Sequence, residues 1–257
     1  MLLKNKNAVI YGAGGSIGGA VARAFASEGA KVFLSGRTME SLKKVAEDIT
    51  ASGGQSETEI VDALDEKSVN DYVDTVGKKA ERIDISFNAI GIEDTQGSPL
   101  ADMSLEDFIR PIKLAMQTQF LTAKAVSKIM MKQGAGVIMS ITASPAGKAY
   151  SLVGGFGPAC SALEGFSRNL ASELGPFGIR VVNIRSAGSP DSRPFVDALG
   201  QETDLSKTFI KKMEDDTMLK KLPPMVEIAS VAVFLASDMA SAMTGTTANV
   251  TCGTTMD

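Results

Sequence analysis

The sequence predicts an α/β protein with one doubly wound parallel sheet of about seven strands and helices on both faces. Three observations carry this. Short runs rich in β-branched residues alternate with longer segments of helical period along the whole chain. A glycine-rich turn, Gly12-Ala13-Gly14-Gly15-Ser16-Ile17-Gly18, joins the first strand directly to the first helix. No repeat, low-complexity tract or Gly/Ser linker interrupts the series, so the 257 residues read as a single domain over 1–257.

Taken in order, strands are expected near 7–11, 31–35, 57–61, 84–87, 136–141, 179–184 and 247–250, each a short β-branched run. Helices are expected over 17–28, 39–50, 66–79, 105–131, 157–174 and 227–236, where apolar residues recur three and four apart, as in Leu163, Phe166, Leu170 and Leu174. Gly29, Gly53-Gly54 and Gly175-Pro176 sit where helices should end. The stretch 189–224 breaks the rhythm: Pro190 and Pro194 precede the mixed run KTFIKKMEDDTMLKK, and Pro223-Pro224 follows. This is the candidate for a mobile lid. Its Met213 and Met218 are either core filler or groove-facing residues that repack around a ligand, and its charges read as a solvated helix face.

Composition narrows the function. Hydrophobic residues make up 44% of the chain, charged residues 22%, and there are 9 prolines, enough apolar material for one large core with little sign of disorder. With 26 Lys plus Arg against 30 Asp plus Glu, the net charge of -4 gives no electrostatic reason to expect nucleic acid or an anionic membrane as partner. The amino terminus, MLLKNKNAVIYG, runs straight into a strand pattern with no signal-peptide features, so a cytoplasmic location is expected. Cys160 and Cys252 are too few and too far apart for a disulfide framework or a metal knuckle, and there is no histidine. No metal site is expected, and metal hydrolase and His-based triad readings drop out.

The glycine-rich turn suits a phosphate. Glycines at a strand-to-helix turn let backbone amides approach a pyrophosphate, whose charge the helix dipole stabilises. Tight packing with no ligand is the alternative for the turn taken alone. The second strand raises the signal, because its end carries Gly36-Arg37 where an NAD site would place a carboxylate. A guanidinium there matches the 2′-phosphate of NADP, so NADP (NADPH) is favoured over NAD; the plainer reading is an exposed surface Arg.

The run of landmarks resembles the short-chain dehydrogenase/reductase family over essentially the whole chain. The family's Thr-Gly-x-x-x-Gly-x-Gly appears as Tyr11-Gly12 through Gly18, with Tyr for Thr and Ser16 for the middle Gly, a Ser also found in the enoyl reductase branch. Val61-Asp62 matches the Asp that bonds the adenine amino group, and Asn88-Ala89-Ile90-Gly91 matches Asn-Asn-Ala-Gly. Phe166 through Leu174, Gly178 through Val181, Phe234 through Asp238 and Thr244-Gly245 are similarly family-like. The resemblance implies a Rossmann-type sheet, a small-molecule substrate or ligand, and a homodimer or homotetramer. It also implies a nicotinamide cofactor held by Gly12, Gly14, Ser16, Ile17, Gly18, Arg37, Asp62, Ala63, Asn88, Ala89 and Gly91.

The same resemblance exposes a departure. The family protonates the product from a Tyr acidified by a Lys one helical turn later, with a Ser orienting the substrate oxygen and an Asn completing a relay. Alignment puts Phe156, Cys160, Ala143 and Ala115 at those four positions. Moving Tyr150 onto the motif would place Gly154 at the Lys and spoil the match of Ala159 through Leu174, so that register is rejected. Tyr150, with Lys148 nearby, is a weak substitute candidate and reads first as a partly exposed loop residue. Cys160 reads as packing, Thr142 and Ser144 as groups able to orient a ligand, and Glu164 and Lys124 as helix surface or subunit contacts. Two functions stay open: an NADP(H)-dependent oxidoreductase with a non-standard site, including enoyl-type reduction, and a catalytically inactive, nucleotide-responsive binding or regulatory protein.

Overall fold

The computed structural model describes residues 1–200 and 204–256. Seven strands, β1 (Asn7–Tyr11), β2 (Lys31–Gly36), β3 (Gln55–Ile60), β4 (Ile85–Asn88), β5 (Gly136–Ala143), β6 (Ile179–Ser186) and β7 (Thr246–Val250), form one sheet in the order β3-β2-β1-β4-β5-β6-β7. Every pairing is parallel. Among the described residues eight α-helices accompany them: α1 (Ser16–Ser27), α2 (Met39–Ala51), α3 (Glu66–Ala80), α4 (Leu105–Gln133), α5 (Phe156–Leu174), α6 (Arg193–Gly200), α7 (Asp204–Asp215) and α8 (Met225–Ala236).

Side-chain alternation along the strands explains the continuous apolar runs. In β1, Ala8 and Ile10 pack with α1, α2 and α8, while Val9 and Tyr11 pack with α3, α4 and α5. A strand covered on both faces needs apolar residues at every position. Local chemistry then sets the helix ends. The Asp65 carboxylate accepts the Lys67 amide at the start of α3, Ser104 Oγ accepts the Asp107 amide at the start of α4, and Gly134 in the left-handed region closes α4.

The expected doubly wound sheet is therefore present. Its strand β3 begins two residues earlier than the sequence pattern predicts, with Gln55 paired to Lys31. As an edge strand β3 is exposed or half-buried throughout and lacks the apolar run that marks the central strands. Within 189–224, α6 and α7 occupy the described part, and residues 201–203 of this expected lid lie outside the described residues. Met213 lies against Gly188, and Met218 packs over Gly253 and is 63% exposed. The chain order reverses between β1 and β4, opening a crevice at the carboxyl ends of those strands.

Candidate functional site

The turn between β1 and α1 is built by two glycines that cannot be replaced in place. Gly12 has φ of +73°, and a Cβ on it would sit 2.6 Å from the Ala89 carbonyl oxygen; a Cβ on Gly18 would sit 2.3 Å from the Gly12 carbonyl oxygen. Their absence of side chains lets the turn close against the end of β4. There Asn88, buried, donates from Nδ2 to Thr122 Oγ1 at 3.1 Å and accepts the Ile90 amide at 3.0 Å, which ties β4 to α4 and shapes 88–90. Helix α1 starts without a side-chain cap, so its first amides face the crevice end without a capping oxygen. Ser16 Oγ accepts the Arg193 amide at 3.0 Å, bringing the start of α6 to the same turn. Gly14 backs onto Ser41, and Ile17 packs into the sheet core.

Beside the turn lies a cavity of about 280 Å³. Of the expected cofactor residues, Gly12, Arg37, Asp62, Ala63, Ala89 and Gly91 line it. Gly14, Ser16, Ile17, Gly18 and Asn88 do not, and act on the turn and on the strand end behind it. Arg37 is exposed at the rim. Asp62 is held by a local turn, its Oδ1 accepting the Leu64 amide at 3.0 Å and its own amide donating to Ser68 Oγ at 3.1 Å. Gln117 Nε2 donates to the Leu64 carbonyl at 2.9 Å and so fixes α4 against this loop. Sequence reasoning missed Tyr11, Leu114 and Thr118 as lining residues. Leu114 and Thr118 lie about fifty residues from the Asp62 loop they face, and nothing in their spacing marks them; Tyr11 reads as the Thr position of the turn motif, which does not mark it as a lining residue.

The four residues aligned with the family's relay lie on α4 (Ala115), at the end of β5 (Ala143) and in the first turns of α5 (Phe156 and Cys160). Ala115 packs with Ala159 and Leu163, and Ile92, Ile112 and Met116 close around them. Phe156 is the first residue of α5, Ala143 the last of β5, and Cys160 follows one turn into α5, fully buried. Burial pushes the Cys160 thiol up to about 11; the Ala143 amide bonded to it offsets only part of this, and the charges of Glu164 and Asp94 add to the rise. The thiol is therefore protonated at neutral pH and is a poor nucleophile. Tyr150 is partly exposed, as expected, with Lys148 Nζ 5.5 Å from its ring centre; it lines a separate groove with Pro145, Leu152 and Pro158.

Glu164 overturns one expectation. It is buried, one turn beyond Cys160 on the same side of α5, and Arg185 is buried with it. Glu164 Oε1 accepts from Arg185 Nε at 2.9 Å and from Thr142 Oγ1 at 2.9 Å, and its Oε2 accepts from Arg185 Nη2 at 2.8 Å. Thr142 in turn accepts Asn183 Nδ2 at 2.8 Å, and Asn183 Oδ1 accepts Ser140 Oγ at 2.7 Å. This network ties α5 to the ends of β5 and β6 beneath the apolar positions. Lys124, by contrast, pairs with Glu66 on the surface as expected.

The residues fit an adenine dinucleotide: a phosphate turn in which a Cβ at Gly12 or Gly18 would clash, a carboxylate and a guanidinium at the two rims, and apolar wall from Val61, Ala63 and Leu114. Comparison with known proteins agrees. The family model described as Enoyl-(Acyl carrier protein) reductase matches residues 12–255. The oxidoreductase YxbG of Bacillus subtilis is 33% identical over 246 residues, covering 95% of this chain and 88% of that one. The 7alpha-hydroxysteroid dehydrogenase of Escherichia coli is 30% identical over 252 residues, covering 98% and 94%. Among solved structures, NAD+-bound xylitol dehydrogenase superposes with a TM-score of 0.90 at 25% identity, over 97% of this chain and 99% of the other. Among the described residues no helix is long and apolar enough to cross a membrane. With its fold, its phosphate turn and these matches along nearly its whole length, the chain belongs to the short-chain dehydrogenase/reductase family of oxidoreductases, which bind a nicotinamide cofactor.

Proposed function

We propose that the chain is an NADP(H)-dependent oxidoreductase whose reaction does not use the family's Tyr–Lys acid, with an activated C=C bond as the acceptor. The observation that carries this is the cluster of Ala115, Ala159 and Leu163 beside a protonated, buried Cys160, which leaves no acidic relay at the four positions. The nicotinamide, when bound, exchanges a hydride with the substrate. The chain's own residues bind and orient. Gly12 and Gly18 open the turn, the first amides of α1 face the pyrophosphate, Asp62 takes the adenine amino group, and Arg37 pairs with the 2′-phosphate. A carbonyl reduced at this site gains no proton from the protein, and general acid–base assistance is worth about 10²–10⁴ in rate. The β-carbon of an enal or enone accepts hydride to give a stabilised enolate, which water at the open crevice can protonate.

The contact of Arg193 with Ser16 supports a lid role for 189–224, since it places α6 beside the phosphate turn. Exposed Leu105, Ile109 and Phe120 along α4 give a homodimer or homotetramer an apolar surface to cover. The test is NADPH oxidation with a panel of enals, quinones and ketones. Turnover of enals or quinones with ketones near background supports the proposal. Tight NADPH binding with no turnover on any of them favours the second reading, a nucleotide-responsive binding protein, to which the same apolar cluster is equally suited.

A further inference from the structure

The phosphate turn brings no cation of its own: Gly12 through Gly18 contain one hydroxyl and neither lysine nor arginine. A pyrophosphate there meets backbone amides and the α1 dipole, equivalent to about half an elementary charge. Arg23, the one basic residue of α1, is already paired with Asp48 at 2.7 Å. A cation reaches the turn from another element. At the start of α6 the Arg193 amide donates to Ser16 Oγ at 3.0 Å, which holds the Arg193 backbone against the first residue of α1. Gly15, the next residue of the turn, lines the nucleotide cavity. The Arg193 side chain is exposed, and among the described residues it makes no hydrogen bond or ion pair. Asp191, two residues earlier, is engaged by the Met225 amide at 3.0 Å.

We infer that Arg193 binds the pyrophosphate of the cofactor, its guanidinium closing over the phosphate turn from α6. This rests on the nucleotide-site reading. The backbone is already fixed beside the first amides of α1, and the long side chain carries five donors in a planar fork that matches two phosphate oxygens at once. Arg193 differs in its task from Arg37, which stands at the far rim on the end of β2 and meets only the 2′-phosphate. The pyrophosphate is common to NADPH and NADH, so Arg193 serves both. Bound phosphate then ties α6 to α1 by a second link beside the Ser16 contact.

The test is fluorescence titration of the full chain with NADPH and with NADH, for the wild type, Arg193→Met and Arg193→Lys. Arg193→Met should weaken both nucleotides by the same factor, about tenfold, the low end for bonds to a charged group because the site is open to solvent and salt. Arg193→Lys keeps the charge without the fork and should fall between. Inorganic pyrophosphate, titrated as a competitor of NADPH, should lose about the same factor in Arg193→Met. The exposed side chain makes no bond among the described residues, so both variants should unfold at the wild-type urea midpoint. Wild-type affinity of either variant-free nucleotide pair in Arg193→Met overturns the inference. A loss confined to NADPH also overturns it, assigning the guanidinium to the 2′-phosphate. Failure of the wild type to bind NADPH or NADH at all is a different result, seen before any variant is made, which removes the nucleotide site itself and the inference with it.

Discussion

Replacing Glu164 by Met removes the carboxylate from a pair that the fold has taken almost wholly out of water, with side-chain exposures of 9% for Arg185 and 6% for Glu164. Met has nearly the volume of Glu, so the change isolates the charge from the packing. The guanidinium would lose both bonds to Glu164 while staying in the interior, and Thr142 would lose the nearer of its two acceptors, keeping the Ile184 carbonyl at 3.5 Å. Breaking a buried pair in this way costs about 3–5 kcal/mol, against a total stability of about 5–15 kcal/mol for a typical domain. With a urea slope of about 3 kcal/mol/M, the unfolding midpoint should fall by about 1–1.7 M. The double variant Glu164→Met/Arg185→Met should recover most of the loss, because an apolar replacement of both partners is often neutral or better. Lys67→Ala serves as control: its bridge to Asp71 has side chains 81% and 62% exposed, and the midpoint should not move. Urea unfolding followed by circular dichroism reads all three. A Glu164→Met midpoint as high as that of Lys67→Ala, or a double variant no better than the single, would refute the reasoning.

Three further outcomes follow from the site. Arg37→Ala should weaken NADPH binding at least tenfold and leave NADH binding unchanged in fluorescence titrations; equal effects on both would remove the 2′-phosphate assignment. Gly18→Ala drives a Cβ to 2.3 Å from the Gly12 carbonyl, so nucleotide affinity should drop more than tenfold and the melting temperature should fall with it; wild-type affinity would mean that the turn yields easily. The folded state holds the Cys160 proton to a pKa of about 11 against an ordinary 9.0, so its stabilising contribution is full below pH 9 and is lost as pH rises towards 11. Cys160→Ala should therefore remove about 2 kcal/mol of the alkaline loss of stability up to pH 11, measured by unfolding at pH 8, 9, 10 and 11. An identical alkaline slope in the variant would place the thiol in a more polar setting than its burial indicates.

Much of the fold was legible because buried parallel strands and amphipathic helices leave strong local patterns. The central strands were recognisable from their apolar runs, while the edge strand β3, half-exposed along its length, blurred its own start. Gly12 of the phosphate turn and Arg37 at the rim could be located by their distance along one βαβ unit, and Asp62 by the family resemblance. Glu164 could not. Its partner Arg185 lies 21 residues on, in another element, and a carboxylate among helix polar positions looks like surface until the strand behind it is placed. Tyr11 was legible as the Thr position of the turn motif, but that its hydroxyl is buried without a hydrogen-bond partner among the described residues follows only from the packing of α3 and α4 over β1. The four apolar positions, Ala115, Ala143, Phe156 and Cys160, came from the family resemblance, and the structure adds the packing of Ala115 and the burial of Cys160 around them.

The central claim is the proposal of a nucleotide site joined to a reaction end whose four relay positions, Ala115, Ala143, Phe156 and Cys160, supply no acid, and one experiment addresses both parts. NADPH is titrated into the wild-type chain by fluorescence, and its oxidation is then followed with simple ketones over pH 5 to 9. Saturable NADPH binding with ketone reduction at buffer background across that range is the predicted result. Rapid ketone reduction with a pH profile governed by a protein group would contradict it, because such a group must then stand at the crevice where the structure shows Ala115, Ala143, Phe156 and a protonated Cys160.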